Sequence, residues 1–269
     1  MTNPLRWLRP SIRLTVPFLA VFLLLGCQKS PDLALTFQLA AGSAPSSGAA
    51  LEEARHTVRQ RLGQLGVRPA VVETAGGDRI VVRLAREDDS PRLRHLLETP
   101  GVFELRFVRL PTGGEPPSSQ EEVLAQLGGK LPEDLEILEQ AIRSDAGNAS
   151  ARRFYAVEKR PVLTNRDIRS ARPGMGQFGG PVVEFRVKPE PAKGFAEATG
   201  AHIGSLLAIV LDGRLVSALK INAKIRDAGG IEGGFTQEQA LDTAILLRSD
   251  PLRGRLTIVE ERTEKGGGR

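Results

Sequence analysis

The chain has 269 residues, a formal net charge of +5 and a hydrophobic fraction of 41%, which is ordinary for a globular protein. Without the three arginines near the N-terminus the charge falls to +2, with 34 basic against 32 acidic residues, so the composition gives no support to nucleic-acid binding. The one cysteine excludes a disulfide framework, and stability must therefore come from a hydrophobic core.

The N-terminal segment combines a basic start with an uncharged run from Leu14 to Gly26, thirteen residues that include Pro17. A membrane-spanning helix needs about 20 apolar residues, whereas the core of a secretory signal needs about 7–15. The segment "LLGC", which ends at Cys27, resembles the lipobox of bacterial lipoproteins, although Leu25 is bulkier than usual there. A signal-anchor helix with a buried thiol is the alternative. We predict a lipoprotein signal over residues 1–26 and lipidation of Cys27.

This prediction places the protein on the outer side of a bacterial membrane, facing the periplasm and held by lipid. At least two acyl chains are implied by the lipoprotein resemblance, and two chains give stable anchoring. Gln28 and Lys29 stand where a retention signal for the inner membrane would carry aspartate. That favours the outer membrane slightly and leaves the choice of membrane open.

Residues 27–50 hold the lipid-attached N-terminus, an alternating strand over Leu33–Leu39 and a flexible loop rich in small residues. A helix follows from Leu51, with apolar residues at helical spacing and Gly66 as its C-cap. Two β-branched runs then flank a glycine turn at residues 76–78 and indicate a hairpin.

A short helix follows, with Ser90 as its N-cap and Pro91 as its first residue. The alternating segment "GVFELRFVRL" predicts a further strand. Together the elements have the order β-α-β-β-α-β, which predicts a ferredoxin-like unit over residues 51–110.

Residues 111–150 are polar and rich in turn residues, and they carry two short helical patterns. The second pattern places Leu131, Leu135, Leu138 and Ile142 on one helical stripe. We predict a peripheral helical insertion or connector.

Strands and helices alternate again over residues 151–249. "PVVEFRV" predicts a strand, residues 191–204 an amphipathic helix, and Leu206–Ile221 a hairpin that turns at Asp212-Gly213. Thr236 and Gln239 form a capping box for a last helix. Residues 250–269 hold a returning strand and a disordered tail. The fold class is α+β with mostly antiparallel sheets.

No motif in the sequence carries recognisable catalytic or cofactor chemistry. Gly174, Gly176 and Gly179 form a GxGxxG, but a strand follows it where a dinucleotide site needs a helix. The three histidines lie on three separate predicted helices, without the spacing of a zinc site. We expect no enzyme, no cofactor and no metal.

Residues 152–172 hold seven basic and two acidic residues. A patch for anionic headgroups or an acidic partner is one interpretation, and a solvated charged edge is the preferred one. Aromatic residues among the charges are too few for a nucleic-acid platform.

Four segments, "GGDRIVVRLA", "GGPVVEFRV", "IGSLLAIVLDGRLVSALKI" and "GGFTQEQALDTAILLRSDPLRGRLTIVEERT", resemble the first periplasmic domain of the SecD/SecDF preprotein translocase family. The resemblance covers roughly residues 50–110 and 160–263. It implies a ferredoxin-like base that carries a second α+β unit, the head subdomain, here residues 151–249. It also implies a role in holding emerging, unfolded preproteins outside the membrane.

The sequence departs from the family pattern in three respects. Family members have six transmembrane helices, whereas this sequence shows no apolar stretch after "TIVEERT". The family's early D-L-x-G-G motif is reduced to Asp32-Leu33. The charged residues that serve proton coupling have no counterpart. We therefore expect the periplasmic module without proton-driven pulling.

The leading hypothesis is a non-enzymatic lipoprotein that binds translocating or newly exported unfolded chains as an accessory to Sec-dependent export. Sec translocon subunits are a further candidate partner. Clients would occupy an apolar groove beside the head or pair with an exposed sheet edge. The alternative is an envelope scaffold that keeps the fold and binds a folded partner. The predicted client-contact region comprises Gly174, Met175, Phe178, Gly180, Leu206, Ile209, Leu211, Leu215, Val216 and Ile221.

Overall fold

The strands form three antiparallel sheets in a computed structural model that describes residues 33–40, 48–68, 70–109, 115–143, 150–177 and 179–263. Elements are numbered along the chain. Every described strand pairing is antiparallel, and five α-helices within these residue ranges accompany the sheets. The predicted α+β class with mostly antiparallel sheets is confirmed.

Four strands make the first sheet: β1 (Leu33–Leu39), β2 (Val71–Ala75), β3 (Arg79–Leu84) and β13 (Leu256–Thr263). They lie in the order β13-β1-β3-β2. Alternate residues of β1 point to one face and are fully buried there. The sheet thus has one strongly apolar face that needs a cover.

Helices α1 (Gly48–Gln64) and α2 (Pro91–Glu98) contribute buried residues to the same core as that face. The start of α2 follows the sequence prediction, because the Ser90 hydroxyl accepts a hydrogen bond from Leu93 N at 3.1 Å. The start of α1 lies three residues before the predicted Leu51.

The first sheet has the strand order of a ferredoxin-like fold, but β13 occupies the place predicted for the strand that follows α2. That strand, β4 (Phe103–Val108), instead pairs along its whole length with β10 (Leu206–Leu211). The prediction that residues 51–110 complete this sheet is therefore wrong. Element order along the chain does not specify which strand fills an edge position, and β13 pairs with β1 over the full length of β1.

The second sheet has six strands, whose remaining members are β5 (Leu135–Arg143), β6 (Ser150–Glu158), β7 (Leu163–Thr164) and β11 (Arg214–Lys220). Their order is β11-β10-β4-β6-β5, and β7 pairs separately with β4. The Gln140 side chain of β5 donates to the Val216 carbonyl of β11 at 3.3 Å, so the two outermost strands approach each other.

The second predicted helix of residues 111–150 is wrong, because Leu135, Leu138 and Ile142 of its apolar stripe lie on β5 and Leu131 lies before that strand. Short apolar runs fit helical and extended periods alike, and here pairing with β6 along nine residues selects the strand. The first predicted helix of this region is confirmed as α3 (Gln120–Gln126), which begins at an N-cap formed by Ser119. Its Val123 is fully buried against β5 and β6.

The third sheet consists of β8 (Ile168–Met175), β9 (Pro181–Val187) and β12 (Ala228–Ile231), in the order β12-β9-β8. Helices α4 (Pro189–Ala201) and α5 (Gln237–Arg248) complete the fold. The predicted capping box at the start of α5 is confirmed. Apolar residues of the second and third sheets, α4 and α5 share one core.

The chain crosses between the first sheet and the other two at residues 99–102 and 249–255, and Arg61 of α1 holds the two crossings together. Its side chain is fully buried. The guanidinium donates to the carbonyls of Leu96 at 2.7 Å, Thr99 at 2.5 Å and Pro100 at 2.9 Å. Its Nε donates to the hydroxyl of Ser249 at 3.2 Å. Burial lowers the pKa of Arg61 to about 10, so it remains a cation at neutral pH.

The buried amide of Asn165 extends this network from the other side. Its Oδ1 accepts from Phe103 N at 2.8 Å, and its Nδ2 donates to the carbonyls of Gly101 at 3.0 Å and Leu246 at 3.2 Å. The term "junction" is used below for Arg61, Asn165 and the backbone groups to which their side chains are hydrogen-bonded. Its carbonyls belong to buried or half-buried residues and have side-chain donors, as buried polar groups require.

Candidate functional site

The third sheet has one covered face and one open face. Ala171, Val183 and Phe185 belong to the same buried core as residues of α5. Strand alternation directs Arg172, Glu184 and their neighbours to the opposite face, where they are exposed or half-buried. The open face is therefore polar and reachable from solvent.

Charges on the open face occur as exposed pairs of opposite sign. Arg172 and Glu184 lie opposite each other in the register and form an ion pair at 2.8 Å. Arg186 lies 3.8 Å from the carboxylate of Asp227. Exposed pairs of this kind contribute about 0–1 kcal/mol each, so their members exchange partners at little cost.

A hollow of about 340 Å³ opens on the three strands of this sheet, lined by residues 170–172, 184–186 and 228–230. Of the two glycines that line it, one is required by the packing around it. A Cβ on Gly229 would lie 2.7 Å from Cζ of Phe185, so glycine lets the aromatic ring lie against the backbone of β12. A Cβ on Gly230 would meet nothing within 4 Å.

Strand β12 is an edge of the third sheet, and its backbone is paired on one side. Val187 N donates to the Asp227 carbonyl at 2.8 Å, which sets the alternation of the antiparallel ladder. Gly229 and Ile231 therefore turn their N–H and C=O groups towards β9. Ala228 and Gly230 turn theirs outward, and these four groups have no hydrogen-bond partner among the described residues.

The structure separates the predicted contact residues into buried and accessible ones. Ile209, Leu215 and Ile221 are at most 5% exposed and belong to apolar cores, so in this conformation they are core residues rather than contact residues. Leu206, Leu211 and Val216 of the β10–β11 hairpin are half-buried. The hairpin itself, with its turn at Asp212-Gly213, is confirmed.

The accessible predicted residues lie at the β8–β9 turn. Met175 is 67% exposed, and Gly180 is also exposed. Gly174 and Met175 belong to β8 and so lie before the turn. Phe178 and Cys27 lie outside the described residues.

Residues 232–235 lie between the β8–β9 turn and the hairpin. A Cβ on Gly176 would be 3.6 Å from Oε1 of Glu232, and a Cβ on Gly233 would be 3.2 Å from Cγ1 of Val216. The two predicted segments are thus neighbours of one connecting segment. Sequence reasoning missed β12, which immediately precedes it, because "AGGI" has little β-propensity and no clear alternation.

The basic segment 152–172 proves to be mainly β6, β7 and the first half of β8. Arg152 pairs with Glu139 at 3.4 Å, and Arg172 pairs with Glu184. Within the ranges that the structure describes, no cluster of three metal-binding side chains is present. Nor does any helix in these ranges have the length and apolar character required to span a membrane.

Two family models match the chain. "Protein translocase subunit SecDF, P1 domain, N-terminal" covers residues 51–109, and "SecDF, P1 head subdomain" covers residues 137–253. The SecD protein of Koribacter versatilis is 35% identical over 216 residues, which is 80% of this chain and 39% of that protein. The chain belongs to the SecD/SecDF family.

Solved SecDF structures agree with this assignment. One, in a super-membrane-facing form, matches 87% of this chain and 30% of its own, with a TM-score of 0.65 and 29% identity. Another, described as a membrane component that enhances protein export, matches 84% of this chain and 98% of its own, with a TM-score of 0.61 and 29% identity. The chain spans about two fifths of the length of the curated SecD relative.

Proposed function

We propose that this SecD-family chain is a non-enzymatic module that contacts unfolded polypeptides during or after Sec-dependent export, on the outer side of the membrane. One observation carries the proposal. The chain matches nearly the whole of a solved SecDF fragment whose protein is described as enhancing protein export. Sec translocon subunits are the second proposed class of partner.

The surface of the third sheet supports this proposal physically. Its open face carries charges of both signs in weak, exposed pairs, so it favours neither strongly acidic nor strongly basic partners. Met175 adds an exposed, flexible apolar side chain at one end of the sheet. Such a surface suits partners of varied sequence better than one folded ligand.

Aggregation of an unfolded exported precursor tests the proposal. The protein, purified from membranes into lipid nanodiscs, should slow that aggregation at several-fold molar excess over the precursor. Empty nanodiscs are the control. No retardation would contradict the proposal.

Crosslinking in intact cells tests the partners. Adducts with translocon subunits and nascent precursors are expected. Adducts with a single folded envelope protein would favour the scaffold alternative instead.

We also propose that Cys27 carries lipid and tethers the module to the membrane. The substitution Cys27→Ser, or treatment of cells with globomycin, should release the protein from the membrane fraction or leave its precursor unprocessed. Unchanged attachment and processing would contradict the lipid tether and leave the export proposal intact.

A further inference from the structure

We propose that the free edge of β12 accepts an extended segment of an unfolded polypeptide as an additional strand of the third sheet. The inference rests on the proposed function and specifies where, and in which conformation, the client is held. The occupant is recognised through its backbone. Its side chains matter chiefly where they reach the hollow beside the strand.

The edge of β12 has hydrogen-bonding groups that a second chain can use. Ala228 and Gly230 direct two N–H and two C=O groups outward, and none has a partner among the described residues. An incoming extended chain satisfies all four at once, as in β-strand addition. Both residues are exposed, and neither carries a side chain longer than a methyl group.

The edge strands β2, β13 and β8 are protected, unlike β12. Arg59 donates to the Val72 carbonyl on edge strand β2 at 3.0 Å, and Ile258 N on edge strand β13 donates to Glu98 at 3.2 Å. On the opposite edge of the third sheet, Pro173 removes an N–H from β8. Proteins commonly protect their edges with charged side chains and proline. β12 has neither along its four residues.

The hollow beside β12 offers space to side chains of the occupant. The hollow of about 340 Å³ adjoins residues 228–230, so alternate side chains of an added strand can enter it. Glycine and alanine line the β12 side, and Arg172, Glu184 and Arg186 contribute both signs of charge. The occupant is therefore a client segment that carries charges of both signs.

A matched pair of substitutions at Gly230 tests the proposal. Gly230→Pro removes an outward N–H and places a ring on the edge, whereas Gly230→Ala keeps the N–H and adds a methyl group in open space. The probe is a reduced, carboxymethylated, permanently unfolded protein with a fluorescent label. Its binding to the protein in lipid nanodiscs is measured by fluorescence anisotropy. Gly230→Pro should weaken binding about tenfold, and Gly230→Ala by less than about twofold.

Amide hydrogen exchange on the unsubstituted protein gives a second measurement that does not depend on how the variants fold. Saturating probe should slow exchange at Ala228 and Gly230. Binding that leaves both amides unprotected would overturn the edge proposal while the proposed function stands. Absence of any binding by the unsubstituted protein would overturn both.

Two other occupants give different results. Protection of the same amides without probe that grows with protein concentration would indicate pairing between two copies of this chain. Concentration-independent protection that is lost when residues 264–269 are removed would indicate the chain's own C-terminal segment. Either result would overturn the proposal.

Discussion

Backbone polar groups are hydrogen-bonded to side chains at the junction, whereas at the edge of β12 they are left open to solvent. At the junction, the carbonyls belong to buried or half-buried residues, and Arg61 and Asn165 supply donors for them. At the edge, the outward groups of Ala228 and Gly230 are exposed and have no hydrogen-bond partner in the part of the chain that the structure describes. Satisfied buried groups stabilise one arrangement of the chain, whereas unsatisfied exposed groups remain available to a second chain. The molecule thus separates the region that fixes its shape from the region proposed to bind.

Removal of the Arg61 guanidinium from the junction should have the largest effect on the free energy of unfolding. Arg61→Met keeps an unbranched apolar stem but removes the side-chain donor of three carbonyls and of the Ser249 hydroxyl. Of these carbonyls, only that of Pro100 keeps another donor among the described residues, the N–H of Leu252 at 2.9 Å. We expect the free energy of unfolding to fall by about 3–5 kcal/mol, measured by urea denaturation. Arg59→Met is the matched control, because Arg59 lies exposed on the same helix with one carbonyl partner, and should cost less than about 1 kcal/mol.

The effect of Arg61→Met should be independent of pH between 6 and 8. Burial lowers the pKa of Arg61 in the folded state to about 10, below its value in the unfolded chain. The unfolded state therefore binds more protons only above about pH 10, and only there does this group make stability rise with pH. In the urea denaturation experiment, equal losses in the free energy of unfolding for Arg59→Met and Arg61→Met would contradict the stabilising role of the junction.

Gly101 tests how tightly the junction is packed around the Arg61 guanidinium. It has φ +76°, and an added Cβ would lie 2.7 Å from Nη2 of Arg61 and 3.1 Å from Cδ2 of Leu246. Gly101→Ala should combine backbone strain with displacement of the guanidinium and cost about 2–4 kcal/mol. Gly213, with φ +74° and open space around it, isolates the backbone contribution. Gly213→Ala should cost about 1–2 kcal/mol, and a loss as large as that of Gly101→Ala would contradict the steric argument.

Local patterns in the sequence predicted much of the fold. The Ser90 cap, the Thr236 capping box and the hairpin at Asp212-Gly213 depend on residues close in sequence, and the structure has all three. Predictions failed where the structure of a segment depends on its pairing with a segment distant in sequence. β13 displaces β4 from the first sheet, and pairing with β6 makes a strand of an apparent helix in β5.

The site was less predictable than the fold. An exposed Met175 follows from its place near a glycine-rich turn, but burial of Ile209 and Ile221 depends on the core shared by two sheets. The edge of β12 has no clear signal in "AGGI", because its importance comes from which side of the strand is paired. The buried position of Arg61 is equally hidden, since a helical arginine is usually exposed.

Substitutions at two adjacent glycines, with the smallest expected effects, test whether the face of the sheet beside β12 is open. A Cβ on Gly229 would lie 2.7 Å from the ring of Phe185, which is buried in the shared core and has little room to move, whereas one on Gly230 would meet nothing. Gly229→Ala should therefore cost about 1–3 kcal/mol, and Gly230→Ala should stay within about 0.5 kcal/mol, both measured by urea denaturation. Equal losses at the two positions would mean that Gly230 is packed against something as well. The face of the sheet beside β12 would then be covered, and the hollow could not receive side chains of an added strand.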